Sequence, residues 1–222
     1  MSQDKVYSAD RGISNYFVNI YSYLSMGIAL MGSVAFFMAS SWSMIRFAFA
    51  LQIPVAIAVM FIPFMMRSVS VDTARMLYWL YAGLFGLLCT PLLVVYTTAS
   101  VANAFFSAAA VFMIASYYGY YTDTDLSKYS SVLFIGIIGV VGVSLMNLIL
   151  QSSLVDIMLS SMVIVISTGI VAFDTQRLKS IYYHYSGSES DDAIAIFGAL
   201  MLLCSFVNIF TALLRLGGTR RE

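Results

Sequence analysis

The sequence predicts an all-α membrane protein with seven transmembrane helices, and three observations carry that reading. The 222 residues are 61% hydrophobic and only 10% charged, whereas soluble domains carry about 25% charged residues. The mean hydropathy of +0.90 means more apolar surface than a fold of this size can hide from water, so its solvent is lipid. The apolar residues gather into seven runs joined by short connections, at 17–39, 44–66, 76–96, 101–121, 130–150, 154–173 and 193–215.

Each run suffices to cross about 30 Å of hydrocarbon at about 1.5 Å per helical residue. Backbone groups in lipid must be bonded internally, which makes each run a helix, and the alternation of a transmembrane strand is absent. Residues 1–16 are polar, carry both signs of charge and read as a cytoplasmic N-terminal segment rather than a signal peptide. The membrane domain is 17–216, and 217–222 is a short tail.

Basic residues orient the spans. With the N-terminus inside, the inner segments hold Lys5, Arg11, Arg67, Arg75, Lys128, Arg177 and Lys179, and the outer loops hold only Arg46. The tail, with Arg215, Arg220 and Arg221, then lies outside against the rule, or the last segment is re-entrant and returns inside; full crossing is the favoured reading. Tyr16, Phe17, Trp42, Trp79, Tyr96, Tyr117–Tyr121 and Tyr182–Tyr185 sit near run ends and read as interface anchors. Small-residue series at Ser25/Ala29/Ser33, Ala82/Gly86/Thr90 and Gly136/Gly139/Gly142 mark expected helix contacts.

Polar groups in lipid are costly, so they carry the functional information. They are Gln52, Asn103, Asn147, Asp156, Asp174, Ser205 and Asn208. Asn103, Asp156 and Asp174 lie near run ends, the others deeper. Asp156 opens the sixth run, where a carboxylate complements the helix dipole. Asp174 closes it, where the dipole opposes a negative charge, so it needs either Arg177 three residues on or an interior role with a cation or proton. His184 reads as an interfacial ring, and "SGSESDD" (186–192) as a polar loop that caps the last helix.

Enzyme readings start low. Asp156 and Asp174 are 18 residues apart, about 27 Å along a helix, too far for a catalytic dyad. A second acid at depth, a histidine near a membrane serine, a lysine in the last span and a glycine-rich phosphate loop are all missing. Cys89 and Cys204 sit in apolar runs and read as packing residues rather than a disulfide or metal site. A net charge of +0 gives no basic face for nucleic acid. No cofactor is expected.

"AFDTQRLKSIYY" (172–183) resembles the YDTQ-type signature of the Bax inhibitor-1 family of membrane proteins. The stretch from "SVSVDTARMLYW" to "SLMNLILQSS" (68–153) is similar to the central region of its bacterial members, and "FGALMLLCSFVNIFTALLRLGG" (197–218) to the closing segment. The likeness covers roughly residues 60–218 and is looser before that. It implies a seven-helix bundle with the last helix central, and a pH-sensitive calcium leak through a bacterial inner membrane. In that picture two aspartates share a proton at the inner end and an arginine latches onto them, since adjacent carboxylates cannot both ionise cheaply.

Carried over by residue, Asp174 matches the first aspartate, Arg67 in "PFMMRS" the latch, Asn147 a span-five asparagine and Asn208 the asparagine of the closing motif. Where the second aspartate should stand, this chain has Ser205. The shared proton is lost, and Asp174, Ser205 and Asn208 offer Ca²⁺ three weaker ligands than two acids would. The expectation is a calcium or cation leak with altered pH gating. The alternative is a regulator or binding partner of a membrane-bound protease in quality control, and almost no polar residues lie at depth in spans three and four to line a pathway. A transporter ranks last, because no internal repeat is evident.

Overall fold

The computed structural model describes residues 3–66, 69–185 and 191–221, which form eight α-helices and one isolated β-bridge. The helices are α1 (Gln3–Met38), α2 (Trp42–Ala50), α3 (Gln52–Met65), α4 (Val71–Val95), α5 (Thr98–Tyr121), α6 (Ser130–Leu150), α7 (Ser153–Tyr185) and α8 (Asp191–Gly217), with a 3-10 turn at Leu126–Tyr129. Six are long and apolar enough to cross a membrane, and α2 with α3 makes a further apolar pair bent by 57°. The residues between 3 and 16 are helical and continuous with the first span. Burial divides the spans sharply: 67% of the apolar window of α8 is buried, against 6% of that of α6. A helix apolar on every side and this exposed is one whose surroundings are hydrocarbon.

The chain divides into two compact units, Met1–Val95 with Lys179–Leu203, and Tyr96–Leu178 with Cys204–Glu222. In the first, α1 and α4 run in the same direction. The ring of Tyr23 lies 5.6 Å from that of Tyr78, and one helical stretch further a Cβ on Gly86 would overlap the Met31 carbonyl. Parallel neighbours require the chain between them to return to the end where α1 began. α2 and α3 do this with a break between them, and Pro54 explains the break. It lacks the N–H that would reach the Ala50 carbonyl and its ring clashes with that carbonyl.

The expected contact series divide into one that packs and two that do not. Ala82, Gly86 and Thr90 are buried as expected. Ser25, Ala29 and Ser33 are exposed, and the two serines donate to their own helix at Ser22 O and Ala29 O. The packed face of α1 runs instead through Leu24, Gly27, Met31 and Ala35. Two expected anchors are also buried: Tyr16, whose ring lies 5.2 Å from that of Tyr182, and Phe17. Asp192 accepts from Asn19 at 3.4 Å, while residues 186–190 of the expected capping loop lie outside the described residues.

In the second unit, α5 packs against α7 and the latter half of α8. Phe206 sits 5.6 Å from Phe105 and 6.0 Å from Phe112, ring to ring. Gly119 lets α5 approach α7 so closely that a Cβ there would overlap the Ala172 carbonyl. Gly139 and Gly142 face open space, so only Gly136 of that series touches a neighbour, Ile166. α8 is unbroken over 27 residues, without the interruption a re-entrant segment needs. The tail beyond it is stitched to the start of α5: Thr97 N donates to Thr219 O at 3.0 Å, and Thr219 N to Ser100 Oγ at 2.9 Å. Tyr96, expected as an anchor, is buried and forms the β-bridge with Arg220. Neither cysteine forms a disulfide.

Candidate functional site

The four residues Phe173–Gln176 separate by role once the helix is built. Consecutive residues on a helix point about 100° apart, so they meet different neighbours. Phe173 lines an apolar groove with Ile114, Tyr118 and Leu133. Thr175 is fully buried; its hydroxyl donates to Val171 O at 2.8 Å and lies 3.0 Å from Ser116 Oγ on α5. Gln176 staples the end of α5 to the 3-10 turn. Its Oε1 accepts from Leu126 N at 2.8 Å, and its Nε2 donates to Thr124 O at 2.8 Å.

Asp174 is the exception. It is 4% exposed, yet among the described residues it has no hydrogen bond and no ion pair. Buried carboxylates without partners are expensive, and a fold that keeps one keeps it for something other than stability. Arg177 is exposed and makes no ion pair with it within 4.0 Å. Nor is the helix end the pressure on it, because α7 continues to Tyr185, about three turns further. Ser205 is likewise 4% exposed, with no hydrogen bond among the described residues. Asn208, three residues on, is exposed and does not share that burial. Arg67 lies outside the described residues.

Two of the other intramembrane polar residues, Asn147 and Gln52, bond backbone groups, while Asn103 is exposed. Asn147 is not deep: it stands in the last turns of α6, where Nδ2 donates to Asp156 Oδ1 at 2.6 Å and Oδ1 accepts from Ser152 N at 3.1 Å. These bonds hold a two-residue turn whose Gln151 adopts the left-handed region at φ 48°. Asp156 is in the first turn of α7 as expected, with Asn147 as its partner. Gln52 stands at the α2–α3 break and donates to Leu87 O at 3.2 Å and to Ala48 O at 3.4 Å. Sequence reasoning missed Thr175, Gln176 and Ser116 as positioning residues. The signal for the first two was present, since they are polar and adjoin Asp174 at the end of an apolar run. Among the described residues, no three His, Cys, Asp or Glu side chains gather as a metal site.

Long apolar helices, exposed greasy faces and polar groups spent on the backbone define a multi-pass helical membrane protein with, among the described residues, one buried acid. A family model described as "Inhibitor of apoptosis-promoting Bax1" matches residues 13–222. The chain belongs to this family, the Bax inhibitor-1 family whose signature the FDTQ stretch resembles. An uncharacterised protein of Rickettsia prowazekii is 34% identical over 225 residues, 96% of this chain and 93% of that one. One from Caulobacter vibrioides is 32% identical over 231 residues, 97% of this chain and 92% of its own length. The inner membrane protein YbhL of Escherichia coli is 31% identical over 227 residues, covering 98% and 97%.

Proposed function

We propose that the chain is a calcium or cation leak pathway of a bacterial inner membrane, with pH gating altered by the replacement of the second acid with Ser205. The observation that carries the reading is Asp174: a carboxylate 4% exposed and without a hydrogen-bond partner among the described residues. An unsatisfied buried acid in a membrane helix is what a site for a passing cation or proton needs, because a fully bonded acid has nothing left to offer one. Ser205 contributes a neutral oxygen where an acid would have shared a proton. Asn208 is a peripheral ligand at most, and Arg67 and Arg177 are the latch candidates.

In this reading α2 and α3 make one bent crossing, which the parallel run of α1 and α4 supports, so there are seven spans. The high burial of α8 supports its place at the centre. The distribution of basic residues supports an inside N-terminus. The inner membrane is the location by likeness to YbhL.

The test is Ca²⁺ flux in proteoliposomes at about pH 6 and about pH 8, for the native protein, Asp174→Asn and Ser205→Asp. Flux that Asp174→Asn abolishes and that Ser205→Asp makes more steeply pH-dependent supports the pathway. A native protein silent at both pH values, with flux appearing only in Ser205→Asp, replaces it with the second reading.

That second reading is a regulator or binding partner of a membrane-bound protease. Its support is the satisfaction of polar groups elsewhere. Thr90 bonds Gly86 O and Ser116 meets Thr175, which leaves little on α4 and α5 to line a wet path.

A further inference from the structure

The second unit carries a cleft of ≈ 590 Å³ at the end of the bundle away from Asp174, where α6 turns into α7 and α8 finishes. Its lining is polar at the α6–α7 turn and mainly apolar along α6. Asn147, Gln151, Asp156 and Arg215 line its polar end, and Val141, Ser144 and Leu145 continue it along α6. From Gln151 back to Val141 is about 15 Å of helix, the distance from a headgroup plane into acyl chains.

Two opposite charges face this one space without neutralising each other. Arg215 has no hydrogen bond or ion pair among the described residues. Asp156 is held by Asn147 through Oδ1 alone, so its second oxygen is free. A simple cation would meet Arg215 and a simple anion would meet Asp156, and both are disfavoured by the like charge. The ligand class that suits both carries an anion and a donor cation together. The exposed apolar side chains of Val141 and Leu145 along α6 add a hydrocarbon tail.

We propose that this cleft binds a phospholipid with a zwitterionic primary-amine headgroup, its phosphate on Arg215 and its ammonium on Asp156. The guanidinium and the free carboxylate oxygen both form charge-assisted bonds to such a headgroup. The tail lies against Val141 and Leu145. This site is independent of Asp174 and of any leak, and assigns to Asp156 and Arg215 a role that the family signature does not touch.

Lipid titration of the purified full-length protein, read by native mass spectrometry, tests it. The probes are phosphatidylethanolamine, phosphatidylglycerol, phosphatidylcholine and soluble O-phosphoethanolamine. The variants are Asp156→Asn, which keeps the acceptor for Asn147, and Arg215→Gln, which removes an exposed group without a protein partner. The expected result is phosphatidylethanolamine bound about tenfold more tightly than the other two lipids, with that preference lost in both variants, the scale of one charge-assisted bond. Equal binding of all three lipids, or a preference that survives Arg215→Gln, overturns the proposal. Competition by O-phosphoethanolamine at the affinity of the whole lipid overturns the assignment to lipid, since the tail would then contribute nothing.

Discussion

Gln52 donates its side-chain amide to the Leu87 carbonyl at 3.2 Å, and Leu87 is the residue that Pro91, four positions on in α4, leaves without a backbone donor. A proline in a membrane helix strands one carbonyl, and lipid supplies no water to satisfy it. Gln52 fills that role from another helix. Replacing it with Leu is expected to cost about 1–2 kcal/mol, the usual range for a buried carbonyl left unmade. In a Pro91→Ala background, which restores the backbone donor, the same change should cost roughly 1 kcal/mol less. Unfolding in mixed micelles measures both, and equal costs in the two backgrounds would show that the bond does not matter.

Glycines in this chain are not interchangeable. A side chain on Gly119 overlaps the Ala172 carbonyl, a backbone atom that cannot rotate away, whereas one on Gly139 meets nothing. Gly119→Ala is expected to lose about 1–3 kcal/mol through forced separation of α5 and α7. Gly139→Ala should stay within about 0.5 kcal/mol of the native protein. Thermal denaturation of the pair in one detergent decides it, and similar losses at both sites would contradict the packing described.

Gln176 holds the 3-10 turn through Leu126 N and Thr124 O. Gln176→Ala should expose the Leu126 amide, raising its hydrogen exchange by about tenfold for a bond worth about 1–1.5 kcal/mol. Exchange at Thr97, bonded to the tail at Thr219, should be unchanged. An unaltered Leu126 rate would mean that the turn is held by its own backbone.

Asp174 should show stability and function moving in opposite directions. It has no hydrogen bond to lose among the described residues, so Asp174→Asn removes a buried charge and gives up only its attraction to the exposed Arg177. The melting temperature is expected to rise by a few degrees, about 1 kcal/mol or more, while flux falls. A structural acid would behave in the reverse way. A lower melting temperature in Asp174→Asn would place the residue among the scaffold groups instead.

Asp174, Ser205, Gln52 and Asn147 also show how far the sequence could be read. Asp174 was legible because a charge at the end of a long apolar run is rare, and Ser205 because it departs from a motif. Gln52 and Asn147 were visible as polar residues in lipid, but their hydrogen-bond partners were not. Their partners, the Leu87 carbonyl and the Ser152 amide, are backbone groups that every residue carries and that composition cannot single out. The small-residue series failed for a related reason. Ser25, Ala29 and Ser33 have the right spacing, but a serine on a lipid-facing surface bonds its own helix and fits as well as one in a contact.

The sequence by itself determined the helical class, the positions of the six long spans and the family, because transfer into lipid is a sum over neighbouring residues and hydropathy therefore reads it locally. Tertiary structure alone decided which polar groups are satisfied. Thr175 is bonded, Gln176 is bonded and Asp174 between them is not, although all three are adjacent in the chain. Hydrogen-bond partnership in lipid depends on what a different helix brings to within about 3 Å, and no local pattern encodes that distance.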